Sequence, residues 1–263
     1  MLEQIVFFDF DGQYQSLFEQ QSPETSAKYF DLTALPGTNG YCDEEAGKKL
    51  RELSETIRPG SLRFFGSGNY HYMSRILMER TEYEMKHHAL DGGYELVLFD
   101  HHPDLLGGAF GGLLSCGGWV LDALSDFPFL RRVSMIGTDP ELFRQAVSEA
   151  GWASDRVRLL SSASGLSLEY PVYLSIDKDV LCPIDAATDW DQGTMRFDTL
   201  LKELSALPKD ALLAADVCGE KKASPTDEEL ARNLDVDRRL CRFFKKNFFD
   251  VANVDAMRYT TIN

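Results

Sequence analysis

The sequence predicts an α/β domain built on a parallel sheet with helices on both faces. Three observations predict it. Short apolar runs recur along the chain, stretches with helical spacing lie between many of them, and polar or Gly-rich residues follow the runs. A short continuous apolar run marks a strand buried on both faces. Strands that alternate with helices pair in parallel. In such sheets the functional groups stand just beyond the carboxyl ends of the strands.

The strands are expected at IVFF (5–8), LRFFG (62–66), ELVLF (95–99), RVSMIG (132–137), VRLL (157–160), VYLSI (172–176) and ALLAAD (211–216). Residues 70–90 carry Met73, Ile76, Leu77 and Tyr83 or Met85 near helical spacing, and residues 139–150, 196–206 and 226–247 also read as helices. Asp139-Pro140 is a helix start, while Gly92-Gly93 and Gly151 are stops. No repeat, low-complexity segment or linker divides the chain, so residues 1–263 are expected to form one domain.

Composition narrows the function. With 44% hydrophobic and 26% charged residues the chain is globular, and no apolar run approaches the ~18–20 residues that span a bilayer. The start, MLEQIVFFDFDG, has no basic segment before its apolar run, which argues against a secretory signal and for a cytoplasmic protein. A net charge of −15 repels nucleic acid and anionic membranes. It suits a cationic small molecule, and metal ions better still. The five cysteines are odd in number and form no CxxC pair, so reduced thiols are expected rather than a disulfide framework or zinc ribbon.

Three strand ends concentrate the chemistry. LRFFGSGNYHY places His71 after a Gly-rich turn, ELVLFDHHPD carries Asp100, His102 and Asp104, and VYLSIDKDVLCP carries Asp177 and Asp179. Side chains two apart on a strand project the same way. Asp100 and His102 are therefore expected to converge, as are Asp177 and Asp179, and Asp104 folds back after Pro103. Four crowded aspartates repel one another unless cations lie among them. Two divalent ions balance four Asp in formal charge. Oxygen-rich ligands with a minority of imidazole favour manganese over structural zinc.

The order GSGNYH (66–71), DHHPD (100–104), SIDKDVLCP (175–183) resembles the arginase/ureohydrolase family, whose fold is shared with the deacetylases. The resemblance implies a three-layer α/β/α domain with a mostly parallel central sheet and a two-manganese site. By motif, His71 and Asp104 would hold one metal, His102 and Asp179 the other, and Asp100 and Asp177 would bridge. Members of the family are often homo-oligomers, but nothing in this sequence marks an interface.

The chain also departs from that pattern. Cys182 replaces the aspartate that ends the third motif, and IDAATDWDQGTM (184–195) replaces the family's Gly/Thr-rich segment. The stretch GGLLSCGGW (111–119) has no histidine where the family carries a proton shuttle. The metals look kept and the substrate-facing residues changed, so neither arginine nor agmatine is assigned. Trp190, Asp191 and Cys116 are candidate substrate contacts, with Ser115 and Trp119 beside them. In AADVCGE (214–220), Asp216 and Glu220 are alternative positions for the acid that meets a cationic substrate in the family.

The expected chemistry is hydrolysis of a C–N bond in a guanidino, amidino or amide compound by metal-activated hydroxide. Asp104 or Asp179 would relay a proton to the leaving amine. Two alternatives stand beside it. One is a metal-dependent binding or regulatory protein without turnover, suggested by the missing histidine. The other is a zinc-dependent amide hydrolase or deacetylase, which needs one metal and a softer ligand set.

Other residues have structural readings. FFDFDG (7–12) resembles a haloacid-dehalogenase opening, but Gln13-Tyr14 departs from it, and Asp9 and Asp11 are expected in a turn lining the cleft. His87 and His88 suit a helix C-terminus. His101 and Lys178 are expected to point away from the ligands, Lys178 towards a buried acid or the pocket rim. RRLCRFFKK (238–246) reads as an amphipathic helix with a solvated face.

Overall fold

A computed structural model describes residues 2–23, 25–87, 92–107 and 113–249. His88 and residues 111–112 of the Gly-rich stretch lie outside the described residues.

The strands are β1 (Gln4–Asp9), β2 (Ala27–Asp31), β3 (Tyr41–Cys42), β4 (Ser61–Phe64), β5 (Tyr94–Phe99), β6 (Leu114–Ser115), β7 (Leu130–Ile136), β8 (Val157–Leu160), β9 (Val172–Asp177) and β10 (Leu212–Cys218). The helices are α1 (Gln15–Glu19), α2 (Glu44–Ser54), α3 (Met73–His87), α4 (Trp119–Asp126), α5 (Pro140–Ala150), α6 (Phe197–Ser205) and α7 (Asp227–Asn247). Eight strands form one sheet in the order β2-β1-β4-β10-β9-β5-β7-β8, and every pairing in it is parallel. β3 and β6 pair separately and antiparallel.

All seven expected strands form. Most of them are buried on both faces and feed two cores, while β4 alternates, sending Leu62 and Phe64 into one core and burying Ser61 and Arg63 on the other side. In β5, Leu96 and Leu98 enter one core and Val97 and Phe99 the other. α2, α3, α4 and α5 cover the first face through Leu50, Ile76, Trp119 and Ala146. α1, α6 and α7 cover the second through Leu17, Leu200 and Leu240. This is the three-layer α/β/α arrangement. α5 begins at the Asp139 cap, whose side chain accepts from the Glu141 and Leu142 amides, and it stops at Gly151. α7 starts with a capping box between Thr226 and Glu229. Among the described residues no helix is long and apolar enough to cross a membrane.

β2, α1, α2 and α4 were not expected from the sequence. β2 is an edge strand with no fully buried residue, so its apolar signal is weak. α2 buries only Ala46, Gly47, Leu50 and Ser54, and owes its start to Asp43 accepting from the Ala46 amide.

The four middle strands position the site. The register sets Phe64 beside Val217, Val217 beside Ile176, and Ile176 beside Phe99. The carboxyl ends of β4, β10, β9 and β5 are therefore level, and the chain turns away from all four at one place.

Candidate metal centre

The six residues expected to hold metal all meet there. His71 follows a 3-10 turn (Gly68–Tyr70) after β4, and its Nδ1 lies 3.1 Å from Asp100 Oδ2, 3.0 Å from Asp104 Oδ2 and 3.6 Å from Asp177 Oδ2. His102 Nδ1 lies 2.8 Å from Asp179 Oδ2 and 3.7 Å from Asp100 Oδ1. Two groups with metal-ligand spacing, His71–Asp100–Asp104 and Asp100–His102–Asp179, share Asp100.

The convergence does not arise from strand alternation, as the spacing predicts. β5 ends at Phe99 and β9 at Asp177, so His102 and Asp179 lie beyond the strands. Instead, each leading aspartate caps its own turn. Asp100 Oδ1 accepts from the His102 amide at 2.6 Å, and Asp177 Oδ1 accepts from the Asp179 amide at 2.9 Å. Such Asx turns reverse the chain within two residues. They spend one carboxylate oxygen on the backbone and leave Oδ2 for the site. Asp100 Oδ2 is buried with no hydrogen-bond partner among the described residues. A buried, orphaned carboxylate oxygen is costly unless a cation meets it.

Electrostatics point the same way. Burial, then the charges of Asp179 and Asp104, push the Asp100 carboxyl well above its usual range. Burial and Asp179 raise Asp177 to about 6. Burial alone would lower His102, but the hydrogen bond and charge of Asp179, with Asp104 and Asp177, lift it to about 9. The cluster holds more negative charge than its two imidazoles relieve.

Further residues hold the ligands in place. His71 Nε2 lies 3.0 Å from Ser175 Oγ, which donates to Asp216 Oδ1 at 2.6 Å. Ser175 thus accepts from Nε2–H, which turns Nδ1 to the carboxylates, where Asp100 and Asp104, against the effect of burial, hold the imidazole protonated until a metal displaces that proton. Asp216 also accepts from Ser74 at 3.1 Å and from Tyr173 at 2.6 Å. Trp119 Nε1 donates to Asp104 Oδ2 at 2.7 Å. Asp104 itself sits in the left-handed region at φ 48°, which costs about 1–2 kcal/mol for a residue with a side chain. The His101 amide donates to Asp179 Oδ1 at 3.0 Å. Cys218, at the end of β10, places its thiol 3.1 Å from Asp177 Oδ2 and forms a third close group with Asp177 and His71. Gly219 (φ 94°) is required beside it, since a Cβ there would stand 2.3 Å from Asp177 Oδ1.

The ligands form the floor of a cavity of about 530 Å³. Trp190, Cys116 and Ser115 line it, and α5 adds Leu142, Gln145, Ala146 and Glu149. The other candidates stand elsewhere. Trp119 braces Asp104, Asp191 is exposed outside the lining, and Asp216 lies behind His71. Glu220 is also outside the lining, buried in an ion pair with Lys178, whose Nζ is 2.9 Å from Asp237 Oδ1. Lys178 keeps Glu220 ionised, while burial beside Glu220 pushes Asp237 well up. Tyr14 completes this group by donating to Glu220 at 2.9 Å. Asp9 and Asp11 do not line the cleft. Asp9 accepts from the Gln13 and Tyr14 amides, and Asp11 from the Ser67 amide and Tyr70.

Sequence reasoning missed Cys218, the bracing roles of Ser175, Asp216 and Trp119, and the α5 wall. Only Ser175 carried a signal, as the first residue of SIDKD.

No protein-family model matches the chain. An uncharacterized protein of Thermotoga maritima is 30% identical over 220 residues, which cover 82% of this chain and 79% of that one. Among solved structures, the proclavaminate amidino hydrolase of Streptomyces clavuligerus superposes with a TM-score of 0.64 at 15% identity, covering 92% of this chain and 91% of that one. The arginase of Medicago truncatula gives 0.62 at 16% identity, covering 92% and 86%. The formimidoylglutamase of Bacillus subtilis gives 0.62 at 12%, covering 94% and 88%. The chain is a divergent protein of the arginase-like ureohydrolase fold and belongs to one family with the Thermotoga maritima protein.

Proposed function

We propose that the protein is a hydrolase with two divalent metal ions, manganese by the hardness of the ligand set, that cleaves a C–N bond of a guanidino, amidino or amide compound. The observation that carries this reading is the pair of Asx turns that turn Asp100 Oδ2 and Asp177 Oδ2 towards the same His71 Nδ1, at 3.1 and 3.6 Å, with Asp100 Oδ2 buried and unpartnered among the described residues. The fold's solved neighbours named above as arginase, amidino hydrolase and formimidoylglutamase support the C–N class.

His71 and Asp104 would hold one ion and His102 and Asp179 the other, with Asp100 and Asp177 between them. Such a pair supplies, when bound, a water acidic enough to act as nucleophile at neutral pH and positive charge to stabilise the tetrahedral intermediate. The chain's own contribution is to hold that geometry. Ser175 and Asp216 set the His71 tautomer, and Trp119 fixes Asp104. Asp104 and Asp179 line the cavity, and in this reading they would take a proton and pass it to the leaving amine. The cavity walls shed water from the reacting group.

Cys218 favours a second reading. A thiolate at this end of the site would soften the ligand set towards zinc and the amide-hydrolase chemistry.

Elemental analysis of protein grown with manganese, beside Asp177→Ala, tests both. About two manganese per chain, lost in the variant, is the expected result. One zinc per chain, with a near-ultraviolet thiolate band in the cobalt-substituted protein that Cys218→Ser abolishes, would transfer the assignment to the second reading. No metal in the wild type after reconstitution would refute both.

A further inference from the structure

The cavity's outer wall carries its own information. Four of the eight exposed large apolar side chains among the described residues, Tyr41, Leu106, Leu142 and Trp190, surround this one opening, and their exposures run from 37% to 57%. Scattered apolar residues need no explanation, but a cluster rimming a polar floor marks a binding surface. Cys116 and Ala146 continue the apolar wall inward to the carboxylates.

The charges are equally informative. Among the described residues no Lys or Arg lines the cavity, and outside the Asp/His cluster Glu149 is its one carboxylate. A substrate bearing a carboxylate or phosphate would thus leave that group with Glu149, the neutral Ser115 and Gln145 and apolar wall, and with no cationic side chain to pair it among the described residues. An unpaired charge in such surroundings is strongly disfavoured.

We infer that the substrate's non-reacting part is a hydrocarbon chain or ring without an anionic group, and that molecules carrying a carboxylate there, as amino-acid guanidines do, are rejected. This rests on the metal-hydrolase reading above. It places Leu142, Leu106 and Trp190 as the specificity-determining side chains and Glu149 as a repulsive guard against anions. Trp190 is held for this role, with its Nε1 donating to Asn69 at 3.0 Å and its ring centre 6.0 Å from that of His102.

Hydroxamates test the inference without knowledge of the substrate, because the metal-binding head is constant and only the tail changes. The probes are acetohydroxamate, octanohydroxamate and 7-carboxyheptanohydroxamate, titrated calorimetrically into the metal-loaded protein. Each buried methylene contributes a factor of roughly 3 to 4. Burial of three or four of them gives octanohydroxamate an advantage on the order of 100-fold over acetohydroxamate. The carboxylate-tailed probe should bind at least tenfold more weakly than octanohydroxamate. In Leu142→Arg, a change at an exposed helix position, that order should reverse. Equal affinity for all three probes would overturn the inference and leave the metal centre standing. Failure of every probe, acetohydroxamate included, to bind metal-loaded protein would overturn the metal reading along with it.

Discussion

Replacing Trp119 by Phe tests whether the metal site depends on the hydrogen bond that braces Asp104. The indole N–H donates to Asp104 Oδ2 at 2.7 Å, and both side chains are buried. A hydrogen bond to a buried carboxylate contributes about 1.5–3 kcal/mol. Asp104 is also held at φ 48°, a conformation it leaves readily once the side chain is released. At 1.4 kcal/mol per decade, loss of the bond should weaken the ion at the His71–Asp104 end by roughly 10- to 150-fold. The ion at the His102–Asp179 end has no contact with Trp119 and should keep its affinity. The assay is a manganese titration in which free ion is read by its paramagnetic resonance signal. Wild type should fill two sites with similar midpoints, and Trp119→Phe should show them split. Because Trp119 is fully buried, circular dichroism must first show that the variant folds. In an Asp104→Ala background the Trp119 change should add nothing, since the interaction it removes is already gone. Two unsplit sites in a folded variant, or additive effects in the double variant, would refute the reasoning.

Three further predictions use the same centre. Asp216→Asn replaces the acceptor that orders Ser175 and His71 and should cost about 10- to 100-fold in metal affinity, read in the same titration with the fold intact. Lys178→Met leaves Glu220 and Asp237 facing each other without a cation and should destabilise the fold by about 3–5 kcal/mol, a melting temperature lower by roughly 6–20 °C. In the triple variant that also carries Glu220→Gln and Asp237→Asn, much of that loss should return. Metal binding should release protons. Between pH 6 and 9 the metal-free His102, raised to about 9, is protonated, while Asp177, raised to about 6, has already lost its proton. Affinity should therefore rise with pH by up to about tenfold per unit for each proton displaced. Binding enthalpies that do not change with the buffer's ionisation enthalpy would contradict this.

The six candidate ligands were legible because each lies at or just past the end of an apolar run, and an acid or imidazole so placed is conspicuous. The means of their convergence was not. Period-two spacing predicts strand residues on one face, whereas both strands stop at or before the first aspartate and a side-chain cap turns the chain instead. That capping bond is a property of φ/ψ and cannot be seen in the letters D-x-H or D-x-D. Glu220 shows the converse. Its place after a strand suggested a substrate contact, but Gly219 at φ 94° redirects the chain, and the Glu220 amide bonds to the Gly66 carbonyl. The carboxylate then meets Lys178, the residue whose side chain the motif sends away from the ligands.

Strand order accounts for what remained hidden. β10 comes last of the strands in the chain yet inserts between β4 and β9, the two that carry His71 and Asp177. Its register sets Asp216 beside Ser175 and Cys218 beside Asp177. One strand thereby supplies both the carboxylate that orients a ligand from β4 and the thiol that touches a ligand from β9. Neither role follows from local spacing, because the partners are 41 residues distant in sequence. Asp216 and Cys218 are two apart on a strand and so share a face. The face they share is the one on which the ligands stand, and it can be identified only once β10 has its neighbours. The candidate ligands follow three strands of the sheet, β4, β9 and β5, with β10 between the first two, whereas Leu142 comes from α5 and Leu106 and Trp190 from segments outside the central sheet. Those can vary without disturbing the floor.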